Sequence, residues 1–131
     1  MKVTQTELGV EYKIWIPCEA VSDAVDAHVQ QIIAITGGMT EIPVTGVWLD
    51  AEGESIQEDV HLISFITPDP AVSVMLRSLA TTLLEEGQEA VLVSHGSRCF
   101  LLTGEVEEAN KNIKFAWRLP LEEEEVNECI S

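Results

Sequence analysis

The chain has 131 residues, 46% of them hydrophobic, which is enough to bury the core of one domain. It carries 23 acidic against 7 basic residues, a formal net charge of −16, and the lack of a basic patch argues against direct binding to nucleic acid. No apolar run reaches the length of about 18 residues that a membrane span needs. The first residues lack the apolar region of a signal peptide, so a cytoplasmic location is expected.

The first strand and helix are predicted from alternation and from capping residues. Glu11–Pro17 alternates between apolar and other side chains, which is typical of a strand, and Pro17 ends it because proline cannot donate to a ladder. Ser22 is a good N-cap for the helix that follows, and Gly37 or Gly38 ends that helix. The helix carries one apolar stripe, formed by Val21, Val25, Val29 and Ile32.

Two strands are predicted next. In Thr40–Leu49, Pro43 favours an edge position, because a central strand would lose a hydrogen bond there. Gly46 marks either a bulge or a place where Trp48 or a neighbouring backbone comes close. The strand within Ile56–Thr67 is apolar on both parities, which favours a central position in the sheet.

A second helix is predicted between Asp69, its cap, and Gly87, which stops it. Ala90–Val93 and Arg98–Thr103 are predicted as strands that flank a hairpin loop at residues 94–97. Ile113–Leu119 alternates well and predicts a late strand. Four consecutive glutamates follow it, so the acidic tail 121–131 is expected to be disordered.

The order strand, helix, strand, strand, helix, strand predicts an α+β fold of the ferredoxin-like split βαβ type, with extra C-terminal strands. Residues 1–120 are expected to form this single domain. Helices cover only one face of such a sheet, so the C-terminal strands or a second copy must cover the other. We therefore expect a homodimer or a higher homo-oligomer.

A set of short motifs resembles an uncharacterised family of small bacterial and phage-associated proteins. The resemblance covers Tyr12 to Thr103 and includes G-x-T, G-x-W, a D-x-x-G turn, a glutamate and a G-Q-E-A-V-L-V segment. In this chain these are Gly38-Met39-Thr40, Gly46-Val47-Trp48, Asp50 with Gly53, Glu58 and Gly87–Val93. The family has no agreed activity, so the resemblance implies no catalytic residues.

Thr40, Trp48 and Glu58 are the candidates for a binding site. If they face one another across the hairpin, a glutamate beside a tryptophan in a half-buried cleft can act as an acid or base. The competing interpretation is structural. In that case Trp48 is a core residue, Glu58 is a solvated strand-end acid and Thr40 satisfies a turn.

The acidic charge supports a second hypothesis. No lysine or arginine lies between Lys13 and Arg77, and the hairpin tip between the two strands projects Asp50, Glu52 and Glu54 together. This pattern favours a non-enzymatic interaction protein of phage or mobile-element origin, whose acidic face contacts a basic, nucleic-acid-binding protein. The alternative is a dimeric α/β-barrel protein that binds a small molecule or is an enzyme. A concave apolar pocket with convergent polar groups would favour this alternative.

Neither a metal site nor a cofactor site is predicted. The three cysteines, Cys18, Cys99 and Cys129, lie far apart without C-x-x-C spacing, and the three histidines lack paired metal-ligand spacing. The sequence contains no phosphate-binding glycine loop and no nucleophile elbow.

Overall fold

The computed structural model describes residues 1–104, and its helices and strands follow in the predicted order. The strands are β1 (Val10–Pro17), β2 (Thr40–Leu49), β3 (Ser55–Thr67), β4 (Ala90–His95) and β5 (Arg98–Thr103). The helices are α1 (Asp23–Thr36) and α2 (Ala71–Glu85), and a short 3-10 turn, Cys18–Ala20, joins β1 to α1. The predicted strand Ile113–Leu119 and the tail 121–131 lie outside the described residues.

The five described strands form one antiparallel sheet in the order β2-β3-β1-β4-β5. The four strands β2-β3-β1-β4, with one helix in each crossover, are the ferredoxin-like arrangement, and β5 extends the sheet beyond β4. The predicted fold class is therefore confirmed. β2 is an edge strand, as Pro43 indicated, and β3 lies inside the sheet between β2 and β1.

Helix α1 begins and ends at the predicted residues. The Ser22 hydroxyl accepts a hydrogen bond from the backbone N–H of Val25 at 3.2 Å, which satisfies one of the free donors of the first turn. Gly37 follows the helix at φ 87°, a left-handed conformation that costs other residues free energy. The predicted stripe needs one correction. Val21 precedes the helix and is 53% exposed, whereas the other three members are buried.

Helix α2 begins where the Asp69 carboxylate accepts a hydrogen bond from the Ala71 N–H at 2.9 Å. Both helices pack on one face of the sheet, and the core lies between them and that face. Its largest fully buried side chains include Phe65, Ile14 and Leu76. In residues 1–104, no helix has the length and apolar character needed to cross a membrane.

The opposite face of the sheet, here called the open face, is lined mainly by apolar side chains. The register places Ile42, Leu62 and Trp15 side by side across three strands, and Leu92 and Leu101 continue that row. Ile42 is 46% exposed and Leu101 is 55% exposed. The expectation that the helices leave one face uncovered is therefore correct for the described residues.

The hairpin between β4 and β5 is tighter than predicted. Ser94 and His95 belong to β4, so the turn consists of only Gly96 and Ser97. His95 pairs with Tyr12 on β1 and with Arg98 on β5, and its ring stacks on Tyr12 with the centroids 4.6 Å apart. Pairing with β1 extends β4 through Ser94 and His95, because β1 supplies partners for the backbone groups of these two residues. The local sequence does not show these partners.

His95 makes folding stability depend on pH. Burial, and then the nearby Arg98 guanidinium, lower the pKa of His95 below its ordinary value of 6.5. Between the lowered pKa and 6.5 the unfolded chain binds more protons than the folded chain, so the free energy of unfolding falls as the pH falls through that window. Urea unfolding of wild type and His95→Gln from about pH 7.5 to about pH 5 tests this. We expect a shallower decline in the variant, and equal declines would contradict the assignment.

Candidate functional site

Trp48 and Glu58 form a hydrogen-bonded pair on the open face of the β2–β3 hairpin. The indole Nε1 donates to the Glu58 Oε1 at 2.5 Å. Gly46 lies directly opposite Glu58 in the register, and a Cβ at Gly46 would be only 3.1 Å from the Trp48 Nε1. The missing side chain at Gly46 therefore gives the indole room to fold back toward the carboxylate. This is the close approach of Trp48 that the sequence predicted as one role for Gly46.

The turn at the hairpin tip fixes the register that brings the pair together. The Asp50 Oδ1 accepts hydrogen bonds from the backbone N–H groups of Glu52 and Glu54, at 2.9 and 2.8 Å. Gly53 adopts φ 79°, which the chain reversal requires. Asp50 thus stabilises the turn with its carboxylate, while the Glu52 and Glu54 side chains are exposed at the tip.

Thr40 lies far from the other two candidates. It shares the open face with Trp48 and Glu58, but its partner in the register is Ser64. Gly46, the partner of Glu58, lies six positions along β2 from Thr40, which is roughly 20 Å at about 3.3 Å per residue. The hypothesis of a three-residue cluster is therefore wrong for Thr40, while Trp48 and Glu58 do face each other.

The competing interpretation of Trp48 as a core residue is also wrong. Trp48 is 38% exposed, and it lies on the face that the helices do not cover. It lies beyond the last pairing of β3 with β1, where Pro17 meets Val60, so in this stretch β3 pairs only with β2 and the two strands form a two-stranded arm. Glu58 is half-buried beside it. A strand-end position on a two-stranded arm, rather than a place in the core, explains this exposure.

The Trp48–Glu58 pair is suited to an organic cation. The face of an indole attracts cations through its quadrupole, and a carboxylate adds a full negative charge. The sequence offers no competing lysine or arginine between Lys13 and Arg77. A carboxylate can also act as a general base. Among the described residues, no group of three histidine, cysteine or acidic side chains has the geometry of a metal site.

The sequence did not predict a cavity on the other side of the sheet. A cavity of about 210 Å³ lies between α1 and the helix-side face of β2 and β3, and Glu41 and His61 line it together with apolar residues. The signal that could have revealed it is the alternation of side chains along a strand. Glu41 and His61 have odd numbers on adjacent strands, so they lie on the opposite face of the sheet from Trp48 and Glu58. Their proximity depends on the register, which a local pattern does not contain.

Two solved structures share this fold. A phage SAM lyase in complex with S-methyl-5'-thioadenosine superposes with a TM-score of 0.58 at 16% identity, covering 79% of this chain and 96% of that chain. The apo state of a phage SAM lyase gives a TM-score of 0.56 at 17% identity, covering 82% and 99%. At this identity the likeness shows the fold alone. No protein-family model and no curated protein sequence matches this chain, so the resemblance to the uncharacterised family stays a prediction.

These structures correct the functional expectation. The sequence favoured a non-enzymatic interaction protein that presents acids to a basic partner, but the two similar solved structures are both of an enzyme, a phage SAM lyase. Asp50, which the interaction hypothesis placed on a projecting acidic tip, instead holds the hairpin turn. The alternative, a small-molecule-binding protein or enzyme, agrees better with the likeness and with the apolar cavity lined by polar groups.

Proposed function

We propose that this chain is an enzyme that binds a small sulfonium compound of the S-adenosylmethionine class and cleaves one of its carbon–sulfur bonds. Trp48 and Glu58 form the cation-binding part of the site. The observation that carries the proposal is their hydrogen bond on the open face of the sheet. The likeness of the whole domain to a phage SAM lyase with S-methyl-5'-thioadenosine bound supports the choice of ligand.

The charge of the chain fits such a ligand. A sulfonium group carries a permanent positive charge, which the indole face of Trp48 and the carboxylate of Glu58 both attract. The net charge of −16 extends this attraction beyond the site and raises the rate of encounter with cations. Cleavage converts the sulfonium into a neutral thioether. The thioether product is therefore held less tightly than the substrate, which favours its release.

The chemistry of the step requires little activation. When the bond between sulfur and the amino-acid carbon breaks, both electrons go to sulfur and S-methyl-5'-thioadenosine leaves as a neutral group. The carbon of the four-carbon fragment that carried sulfur is left electron-deficient, and the fragment compensates for this in one of two ways. Its own carboxylate closes a ring on the carbon that carried sulfur, or the neighbouring carbon loses a proton and a double bond forms. Glu58 is the candidate base for the second route, and the identity of the fragment distinguishes the two.

Incubation of the purified chain with S-adenosylmethionine tests the proposal. We expect S-methyl-5'-thioadenosine to accumulate with time and with protein concentration, as measured by liquid chromatography with mass detection. S-adenosylhomocysteine is the matched control ligand, because it keeps the nucleoside and amino acid but lacks the sulfonium charge, and it should bind more weakly. Binding without turnover would overturn the enzymatic part, and equal affinity for both compounds would overturn the cation site.

We also propose that a second copy of the chain covers the apolar row of the open face. The support is the exposed apolar row on that face, which includes Ile42 and Leu101, since burying such a row is favourable. Light scattering at micromolar concentration should give a dimer or higher oligomer. Leu101→Glu should shift it toward monomer, whereas Val74→Glu, at a site on α2 with similar exposure, should not. A monomeric wild type would contradict the proposal.

A further inference from the structure

The cavity between α1 and the outer part of the sheet has an apolar floor and a polar rim. Its volume is about 210 Å³. The side chains of Asp26, Glu41 and His61 form the rim. The remaining lining residues are apolar, namely Ile16, Val21, Val25, Val29, Met39 and Ile63. Several of them, including Ile16 and Val25, also belong to the buried core, so the floor is held by the packing of the domain.

The cavity exists because the sheet extends farther than the helix that covers it. Helix α1 packs its buried stripe on the sheet, but the helix-side residues of the edge strand β2 remain exposed. Val47 is 59% exposed and Leu49 is 74% exposed on that side. At the start of β2, Glu41 forms the outer wall of the space beside α1, together with Met39 just before the strand.

The polar rim contains a group whose hydrogen-bonding capacity is unused. The His61 Nδ1 is buried and has no hydrogen-bond partner. The Glu41 Oε2 lies 3.3 Å away but does not complete a hydrogen bond with it. A buried polar atom without a partner costs free energy, so a ligand that supplies one is favoured. Two carboxylates, those of Asp26 and Glu41, lie in the same rim, and no lysine or arginine lines the cavity.

The geometry points to a second ligand site in this cavity, for a small organic cation with an apolar body about the size of phenylethylamine. A cavity of about 150 Å³ holds one benzene ring, so the observed volume admits a ring with a short amine chain. The ring contacts the floor around Val25 and Val29. The ammonium group lies at the rim, where Glu41 and Asp26 accept its hydrogen bonds and His61 Nδ1 accepts another when the ring proton is on Nε2.

This site is separate from the Trp48–Glu58 pair. Glu41 and His61 point to the helix side of the sheet, whereas Trp48 and Glu58 lie on the open face, so the sheet separates the two. The inference therefore does not rest on the proposed lyase function. It assigns the cavity a ligand of its own, an amine whose binding is measured without any turnover.

Isothermal titration of the full chain with phenylethylamine tests the site. The control ligand is 2-phenylethanol, which has the same apolar body without the charge. We expect saturable binding of the amine and an affinity for the alcohol lower by about tenfold or more. Equal affinity for the two ligands, or no saturable binding of the amine, overturns the inference.

Three variants locate the site. Glu41→Gln removes one rim charge and should weaken amine binding by about tenfold or more. Glu54→Gln makes the same chemical change at the exposed hairpin tip and should leave binding unchanged, as should Glu58→Gln on the open face. If Glu41→Gln binds the amine like wild type, the cavity is not the site. If Glu58→Gln loses amine binding, the amine binds at the open face, which overturns the inference without touching the proposed lyase function.

Discussion

Glu58→Gln is expected to lower the rate of S-adenosylmethionine cleavage by on the order of 100-fold. The amide keeps the size of the side chain and can still accept the hydrogen bond from the Trp48 Nε1 through its carbonyl oxygen. It loses the negative charge that attracts the sulfonium and the basicity that a proton transfer requires. Folding should change little, because Glu58 is only half-buried on a hairpin arm. Initial rates of S-methyl-5'-thioadenosine release, with circular dichroism as the folding check, measure both effects.

Two further variants separate the role of Glu58 from general charge. Glu54→Gln removes the same charge from the exposed tip of the same hairpin and should change the rate much less. Gly46→Ala changes neither site residue, but its Cβ would lie 3.1 Å from the Trp48 Nε1, so the indole has to shift. We therefore expect Gly46→Ala to lower the rate as well. Equal rates for wild type and Glu58→Gln would remove Glu58 from the site.

Phe65→Ala is expected to lower the free energy of unfolding by about 3–5 kcal/mol, as large-to-small changes of buried aromatic residues do. Phe65 is 0% exposed and lies opposite Tyr12, in the core between the sheet and the helices. Removal of the ring leaves a cavity that well-packed neighbours fill only in part. Urea unfolding, followed by circular dichroism, measures the loss.

Ile66→Ala is the matched control for this change. Ile66 is the next residue on β3, but it points to the open face and is 45% exposed. Its truncation should cost much less than that of Phe65. Because adjacent residues on a strand point to opposite faces, the comparison also tests the register of β3. Comparable losses for the two variants would contradict the assignment of the helix-covered face.

The sequence by itself determined the architecture, because the signals for it are local. Capping at Ser22 and Gly37 depends on backbone groups within a few residues, and these predict the ends of α1. Alternation along Glu11–Pro17 predicted β1, on which Tyr12 and Ile14 are buried, and Pro43 predicted that β2 is an edge strand. The approach of Trp48 to Gly46 was also predictable, since the two residues are neighbours on one strand face.

Only the tertiary structure decided which residues meet across the sheet. Parity gives the face on which a side chain lies, but the register sets how far along that face it lies. Thr40 and Glu58 share a face, yet the pair that contains Glu58 lies six positions along the β2–β3 ladder from the pair that contains Thr40. The sequence predicted a loop at Ser94 and His95, but in the structure both residues pair with β1 and belong to β4. The cavity beside α1 depends on how far the helix reaches across the sheet, a distance set by the packing of the whole core and by no short stretch of sequence.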